Sequence, residues 1–240
     1  MKKLGLFGCM SMLCLLATGC NSDNNDDKYI DISAPIEFNF AEQEHGFTAM
    51  FSDYPPGEET FYELVGEYAD LPEEYGANKG WYLAGNNHSD DLIMAIKGSI
   101  SGLRKNTLYS VSLDVEILTN TPSYCFGIGG APGESVYVKL ATATQEPAND
   151  VENEIYRINT DIGFQAQSGS EGVVVGDIAN GENCFEVIES AYLEKQLSTE
   201  LPIDVMSDDH GKIWLLAATD SGYEGITSIY ITKLVVTITE

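Results

Sequence analysis

Residues Asp91 to Ile117, DLIMAIKGSISGLRKNTLYSVSLDVEI, constrain the fold more than any other stretch. In its second half Tyr109, Val111, Leu113, Val115 and Ile117 fall on one side, and Ser110, Ser112, Asp114 and Glu116 on the other. That is the period of two of a strand with one buried face. Leu92 to Ile96 is apolar on both sides, which suits a strand covered above and below, although so short a run also suits buried helix. Gly102 to Thr107 supplies the Gly and Asn that break strands, so the stretch reads as a hairpin of two long strands.

Further alternating segments flank it: Pro35–Phe40, Gly46–Tyr54, Trp81–Leu83, Glu134–Ala141, Ile155–Ile162, Gly172–Ile178, Leu201–Val205, Ile213–Ala218 and Ile229–Ile238. In the last, Ile229 and Ile231 share one phase and Leu234, Val236 and Ile238 the other, the shift a β-bulge near Lys233 produces. Pro55 to Lys79 reads as a long acidic loop with a short strand or helical turn in it, packed over one sheet edge. Phe185 to Leu197 has the apolar spacing of a short helix. About ten short strands without βαβ alternation predict an all-β fold, an antiparallel β-sandwich of jelly-roll type.

The leader points to the destination of the chain. Lys2 and Lys3 precede an apolar run, Leu4 to Leu16, of signal-peptide length. Leu16-Ala17-Thr18-Gly19-Cys20 resembles a bacterial lipobox, which implies cleavage after residue 19 and lipidation of Cys20. Each buried acyl methylene contributes about 0.8 kcal/mol to such an anchor. Asn21 after the cysteine implies, by the same resemblance, outer-membrane placement. Residues 20–29 are too polar to pack and form a tether, so residues 30–240 make a single sandwich domain.

The mature chain has 10 basic against 38 acidic residues, a net charge of −28. Nucleic acid is therefore excluded as a partner, and the charge serves solubility. Cys125 and Cys184 are the two cysteines left for an oxidising compartment and are expected to form a disulfide.

Ile100 to Val115, ISGLRKNTLYSVSLDV, resembles the strand-turn-strand of carbohydrate-binding modules with a galactose-binding-like jelly roll. That resemblance implies the same fold and carbohydrate as a ligand class. The segments GNNHSDDL, GIGGAPGESVYVK and TDSGYEG are similar to those of a group of uncharacterised bacterial secreted proteins, which implies no residue roles.

Trp81, Tyr82 and Tyr223 are the candidate sugar-stacking residues, because an aromatic face packs against pyranose C–H groups. Trp214, within Ile213-Trp214-Leu215-Leu216, reads as core. Asn87, Asp90, Asp91, Asp220 and Glu224, with Asn86, Asp208 and Asp209, are oxygen-rich loop residues of the kind that bind Ca2+ or cap turns. No nucleophile elbow, His-Glu-x-x-His or Cys-x-x-Cys motif occurs. The first expectation is therefore a non-catalytic binding module on a membrane-anchored lipoprotein. The second is an envelope structural or assembly protein with protein partners, and the third a polysaccharide hydrolase or lyase.

Overall fold

A computed structural model describes residues 29–89 and 91–240. The leader, Cys20, most of the tether and Asp90 lie outside the described residues. The strands are β1 (Ile36–Asn39), β2 (Thr48–Ser52), β3 (Val65–Asp70), β4 (Lys79–Asn86), β5 (Leu92–Ser101), β6 (Leu108–Thr119), β7 (Val136–Ala143), β8 (Asn149–Glu152), β9 (Ile155–Ile158), β10 (Gly172–Asp177), β11 (Leu193–Ser198), β12 (Ile203–Met206), β13 (Lys212–Ser221) and β14 (Ile226–Thr239). The helical content among the described residues is one 3-10 turn, Glu73–Tyr75.

Sheet 1 runs β11-β6-β14-β4-β3, with β12 also along β6 and β1 also along β14; sheet 2 runs β10-β7-β13-β5-β2. All of these ladders are antiparallel. Nested pairing defines the wrap: β4 lies on β14, β5 on β13, β6 on β11 and β12, and β7 on β10. In chain order the partners are first with last, second with next to last, and so on inward, the connectivity of a jelly roll.

The inner faces of the two sheets close on one core. Tyr109, Val111, Leu113, Val115 and Ile117 of β6 are all at most 2% exposed, each contributing roughly 1.5–3 kcal/mol of apolar burial. The expected bulge occurs, a register break between Ile231 and Lys233 against β6. It restores the phase, so that Ile229, Ile231, Leu234, Val236 and Ile238 are all buried.

β5 and β6 are nevertheless not a hairpin, because they belong to opposite sheets. Stacked sheets stand about 10 Å apart, and residues 102–107 bridge that gap. Leu103 is buried as an end plug of the core, its N–H bonded to Gly211 O at 2.9 Å. The two-sided apolar pattern of β5 has a matching cause. Leu92, Met94 and Ile96 face the main core, while Ile93 and Ala95 enter a second cluster with Ala141, Ile162, Leu216 and Ala218 on the outer side of sheet 2. The β8–β9 hairpin and residues 159–170 cover that outer side.

Residues 185–192 form no helix, and the chain enters β11 at Leu193. Ile188 is fully exposed, so the apolar spacing there faces no core. The backbone groups of residues 193–198 instead complete the edge of β6. Trp214 points outward from β13 and is half-buried, with the Lys97 and Lys212 ammonium groups 6.0 and 5.2 Å from its ring.

Candidate functional site

Alternation along β4 separates Trp81 from Tyr82. Trp81 is 6% exposed within the core, 6.0 Å from the Tyr68 ring, so burial removes it from the sugar-stacking candidates. Tyr82 faces outward from sheet 1 opposite Tyr230 of β14, with ring centroids 4.8 Å apart and planes tilted by 41°. Tyr192, just before β11, meets Tyr230 edge to face at 5.3 Å. Its position is fixed by Tyr75, whose hydroxyl donates to Tyr192 O at 2.8 Å. Burial, chiefly, pushes the Tyr192 and Tyr230 phenols up, so both remain neutral hydroxyls at physiological pH.

Polar groups surround this tyrosine row. Glu67 lies opposite Tyr82 on β3, and Glu194 lies beyond Leu118 on β11. Further along the same face are Glu116, Lys233 and Gln196, with Lys233 Nζ 3.5 Å from Glu116 Oε2. A 490 Å³ recess beside Tyr82 is lined by Glu59, Glu63, Leu64, Ala84 and Ile226, and a 300 Å³ recess lies over Asp114, Glu116 and Gln196. The arrangement offers apolar ring surface flanked by hydrogen-bond donors and acceptors, which is what a polyhydroxylated ring needs.

A second cluster sits at one end of the outer side of sheet 2. Lys139 on β7 is fully buried, and its ammonium donates to Asp220 Oδ2 at 2.8 Å, Ile162 O at 3.0 Å and Gln167 O at 3.2 Å. Asp220 Oδ2 also accepts from Gln165 N–H. Arg157 on β9 pairs with Asp53 and lies 3.7 Å from Asp91 Oδ2. Asp53, Asp91 and Asp220 are 8, 9 and 1% exposed. Asp91 is pushed up to about 9, first by burial and then by the charges of Asp220 and Asp53, with Arg157 opposing. Burial likewise raises Asp53, against the lowering effect of Arg157. These groups line a 330 Å³ cavity with Asp161 and Phe164 at its rim.

The expected oxygen-rich residues are thus only partly assembled. Asp91 and Asp220 meet, but a protein ammonium occupies the position beside Asp220 where a cation would sit. Asn87 is buried with its amide donating to Ser221 O and Tyr223 O, so it ties two loops together. The half-buried Glu224 lies in the turn between β13 and β14, its N–H bonded to Ile128 O at 2.9 Å in the loop before β7. Asp208 caps its own turn by accepting from His210 and Lys212 N–H. No group of three or more His, Cys, Asp or Glu is arranged to hold a metal ion among the described residues. Tyr223 is half-buried rather than open, packed against the main core, with its ring over Gly127. Cys125 and Cys184 are joined, as expected, with Cα atoms 5.3 Å apart.

Asp53, Lys139, Arg157, Tyr192 and Tyr230 escaped the reading of the sequence. Lys139 interrupts an otherwise apolar strand, VYVKLATA, in a chain with only 12 basic residues. Such a position calls for a buried acidic partner, and this was the available signal.

No family model matches the chain, and no curated protein matches it. Similar solved structures include a study of carbohydrate-binding modules of the β-sandwich superfamily, at 12% identity and TM-score 0.40, aligned over 85% of this chain and 61% of that one. This chain therefore spans less than two thirds of that chain. TmCBM61 in complex with β-1,4-galactotriose aligns at 8% identity and TM-score 0.30, over 86% and 89% of the two chains. A cleaved adhesin domain of Lys-gingipain from Porphyromonas gingivalis aligns at 9% identity and TM-score 0.36, over 85% and 97%.

Proposed function

We propose that the protein is a non-catalytic carbohydrate-binding lipoprotein, anchored in the outer membrane through Cys20, with the outer face of sheet 1 as its ligand surface. The observation that carries the binding reading is the outward tyrosine row Tyr82, Tyr230 and Tyr192 between Glu67 and Glu194. A pyranose laid on the Tyr82–Tyr230 pair covers ring surface with C–H groups, while its hydroxyls reach carboxylates and the Gln196 amide.

The test is a glycan array followed by calorimetry on the best ligand. Tyr230→Ala and Tyr82→Ala should each weaken binding by about tenfold or more, with the fold intact by circular dichroism. Full affinity in both variants refutes the placement.

A second reading, docking of a protein partner, is favoured by the loops that the disulfide joins. Phe126 and Phe185 there are 89% and 71% exposed, with ring centroids 5.9 Å apart, an apolar tip of the kind that partners cover. A silent glycan array combined with a partner lost on Phe126→Ser would select it.

A further inference from the structure

The two flanks of the tyrosine row differ. The row crosses the strands, from Tyr82 on β4 through Tyr230 on β14 to Tyr192 at the entry to β11, with the buried Leu118 of β6 opposite Tyr230. On one flank the chain after β3 folds back over the sheet as a strap. Gly80 shares the outward phase of Tyr82, and a Cβ there would stand 2.8 Å from Leu71 Cδ2 and 3.1 Å from Ile231 O. Leu71 therefore lies directly on the bare backbone of β4. From there the strap passes over β14 and β6, and the Tyr75 hydroxyl donates to Tyr192 O at 2.8 Å. The opposite flank is hollow, being the 490 Å³ recess beside Tyr82. Ala84, the next outward residue of β4, gives it a floor of a single methyl group, and Leu64 and Ile226 wall it. The recess is preformed, because Asn86 N–H donates to Tyr62 O at 2.7 Å and the Asn86 amide to Glu63 Oε1 at 2.9 Å. Those bonds pin residues 59–64 to the end of β4.

We propose, resting on the carbohydrate reading of this face, that its ligand is an uncharged, branched polysaccharide whose backbone lies along the tyrosine row and whose short side branch enters the recess beside Tyr82. A platform of rings holds a linear chain without any hollow beside it, so the recess has no use for an unbranched ligand. Its volume falls within the range of about 300–1,000 Å³ usual for ligand sites. The strap closes the other flank at Gly80, which leaves a branch one place to go. Ala84, Leu64 and Ile226 offer apolar surface to the C–H face of the branch, while Glu59, Thr60 and Glu63 accept hydrogen bonds from its hydroxyls. The absence of charge follows from the same lining. Glu59 and Glu63 in the recess, with Glu67 and Glu194 beside the row, repel a carboxylated or sulfated sugar, and no Lys or Arg lines the recess among the described residues.

The experiment is calorimetric titration of the full chain with matched linear and branched oligosaccharides. The pairs are mannopentaose with galactosyl-mannopentaose, cellotetraose with the xyloglucan heptasaccharide, and xylotriose with arabinosyl-xylotriose; glucuronosyl-xylotriose is the anionic control. In at least one pair the branched member should bind at least about fivefold more tightly than the linear one, and the anionic control should not bind. Ala84→Phe fills the recess from its floor and should bring the two members of that pair within about twofold of each other. Should that variant fold poorly by circular dichroism, Ile226→Trp narrows the mouth from an exposed position and should at least halve the preference. Tyr230→Ala should weaken both members alike, which separates the row from the recess. Equal or tighter binding of the linear member in every pair, binding of the glucuronosyl sugar, or a preference that survives filling of the recess overturns the inference and leaves the carbohydrate reading standing. Silence of all the neutral sugars overturns both.

Discussion

Lys139 and Asp220 allow a quantitative test of the outer layer of sheet 2. Neither side chain has contact with solvent, being 0 and 1% exposed, and their charged atoms lie 2.8 Å apart. Replacing Lys139 by Met leaves the buried Asp220 charge without its ammonium partner, and replacing Asp220 by Asn leaves a buried ammonium among carbonyls. Each single change strands one charge, which costs about 3–5 kcal/mol. For a domain of about 210 residues that lowers Tm by roughly 6–20 °C, at 2–4 °C per kcal/mol. The double variant Lys139→Met, Asp220→Asn strands no charge and should cost no more than either single one, a coupling of about 3 kcal/mol or more. Urea denaturation followed by the fluorescence of the buried Trp81 measures all four proteins, with an unchanged denaturant slope certifying a common unfolding. Singles costing under about 1 kcal/mol, or a double equal to the sum of the singles, would refute the reasoning.

Asp91 sets a pH dependence whose sign follows from its raised value. Between its unfolded value of about 4 and its folded value of about 9 the native state binds the extra proton, so its contribution is full below about 4, declines as pH rises, and is gone above about 9. Asp91→Asn should flatten that decline in denaturation curves from pH 5 to 9, and parallel slopes would count against it. Replacing Cys125 and Cys184 by Ser opens a loop of 59 residues and should lower stability by about 4 kcal/mol in the chain-entropy account, read by denaturation with and without reductant. A Cβ on Gly98 would stand 2.6 Å from the Phe47 ring, so Gly98→Ala should cost about 1–3 kcal/mol from overpacking; a neutral effect in thermal melts would show the ring free to move.

The architecture was legible in the sequence wherever a strand buries one face. The period of two over Tyr109–Ile117 placed every side chain correctly, and the phase shift near Lys233 announced the bulge. Sheet membership was less legible. Local pattern records which side of a strand is buried but not which strand lies beside it, so the link from β5 to β6 read as a hairpin although it crosses between layers. The β8–β9 turn escaped for another reason: Asn153 and Glu154 adopt φ of +52° and +64°, the pair of positive angles that a type I′ turn requires, but Glu replaces the Gly that usually signals it. Of the candidate site, Tyr82 and the Asp91 and Asp220 carboxyls were named from the sequence. Their partners come from strands 50 to 150 residues away in the chain, such as Tyr230, Lys139 and Arg157, and only pairing registers could bring these together.

Nested connectivity also dictates when this chain can fold. The two central strands, β13 in sheet 2 and β14 in sheet 1, follow all their partners in the chain: they pair with β5, β7, β1, β4 and β6, which are made earlier. Until residue 239 emerges, every earlier strand of sheet 1 has an open flank, so sheet 1 cannot close before β14 is made. Long-range closure of this kind is slow and all-or-none. Removal of β14, the 14 residues Ile226–Thr239, should therefore yield an aggregating polypeptide rather than a smaller folded one.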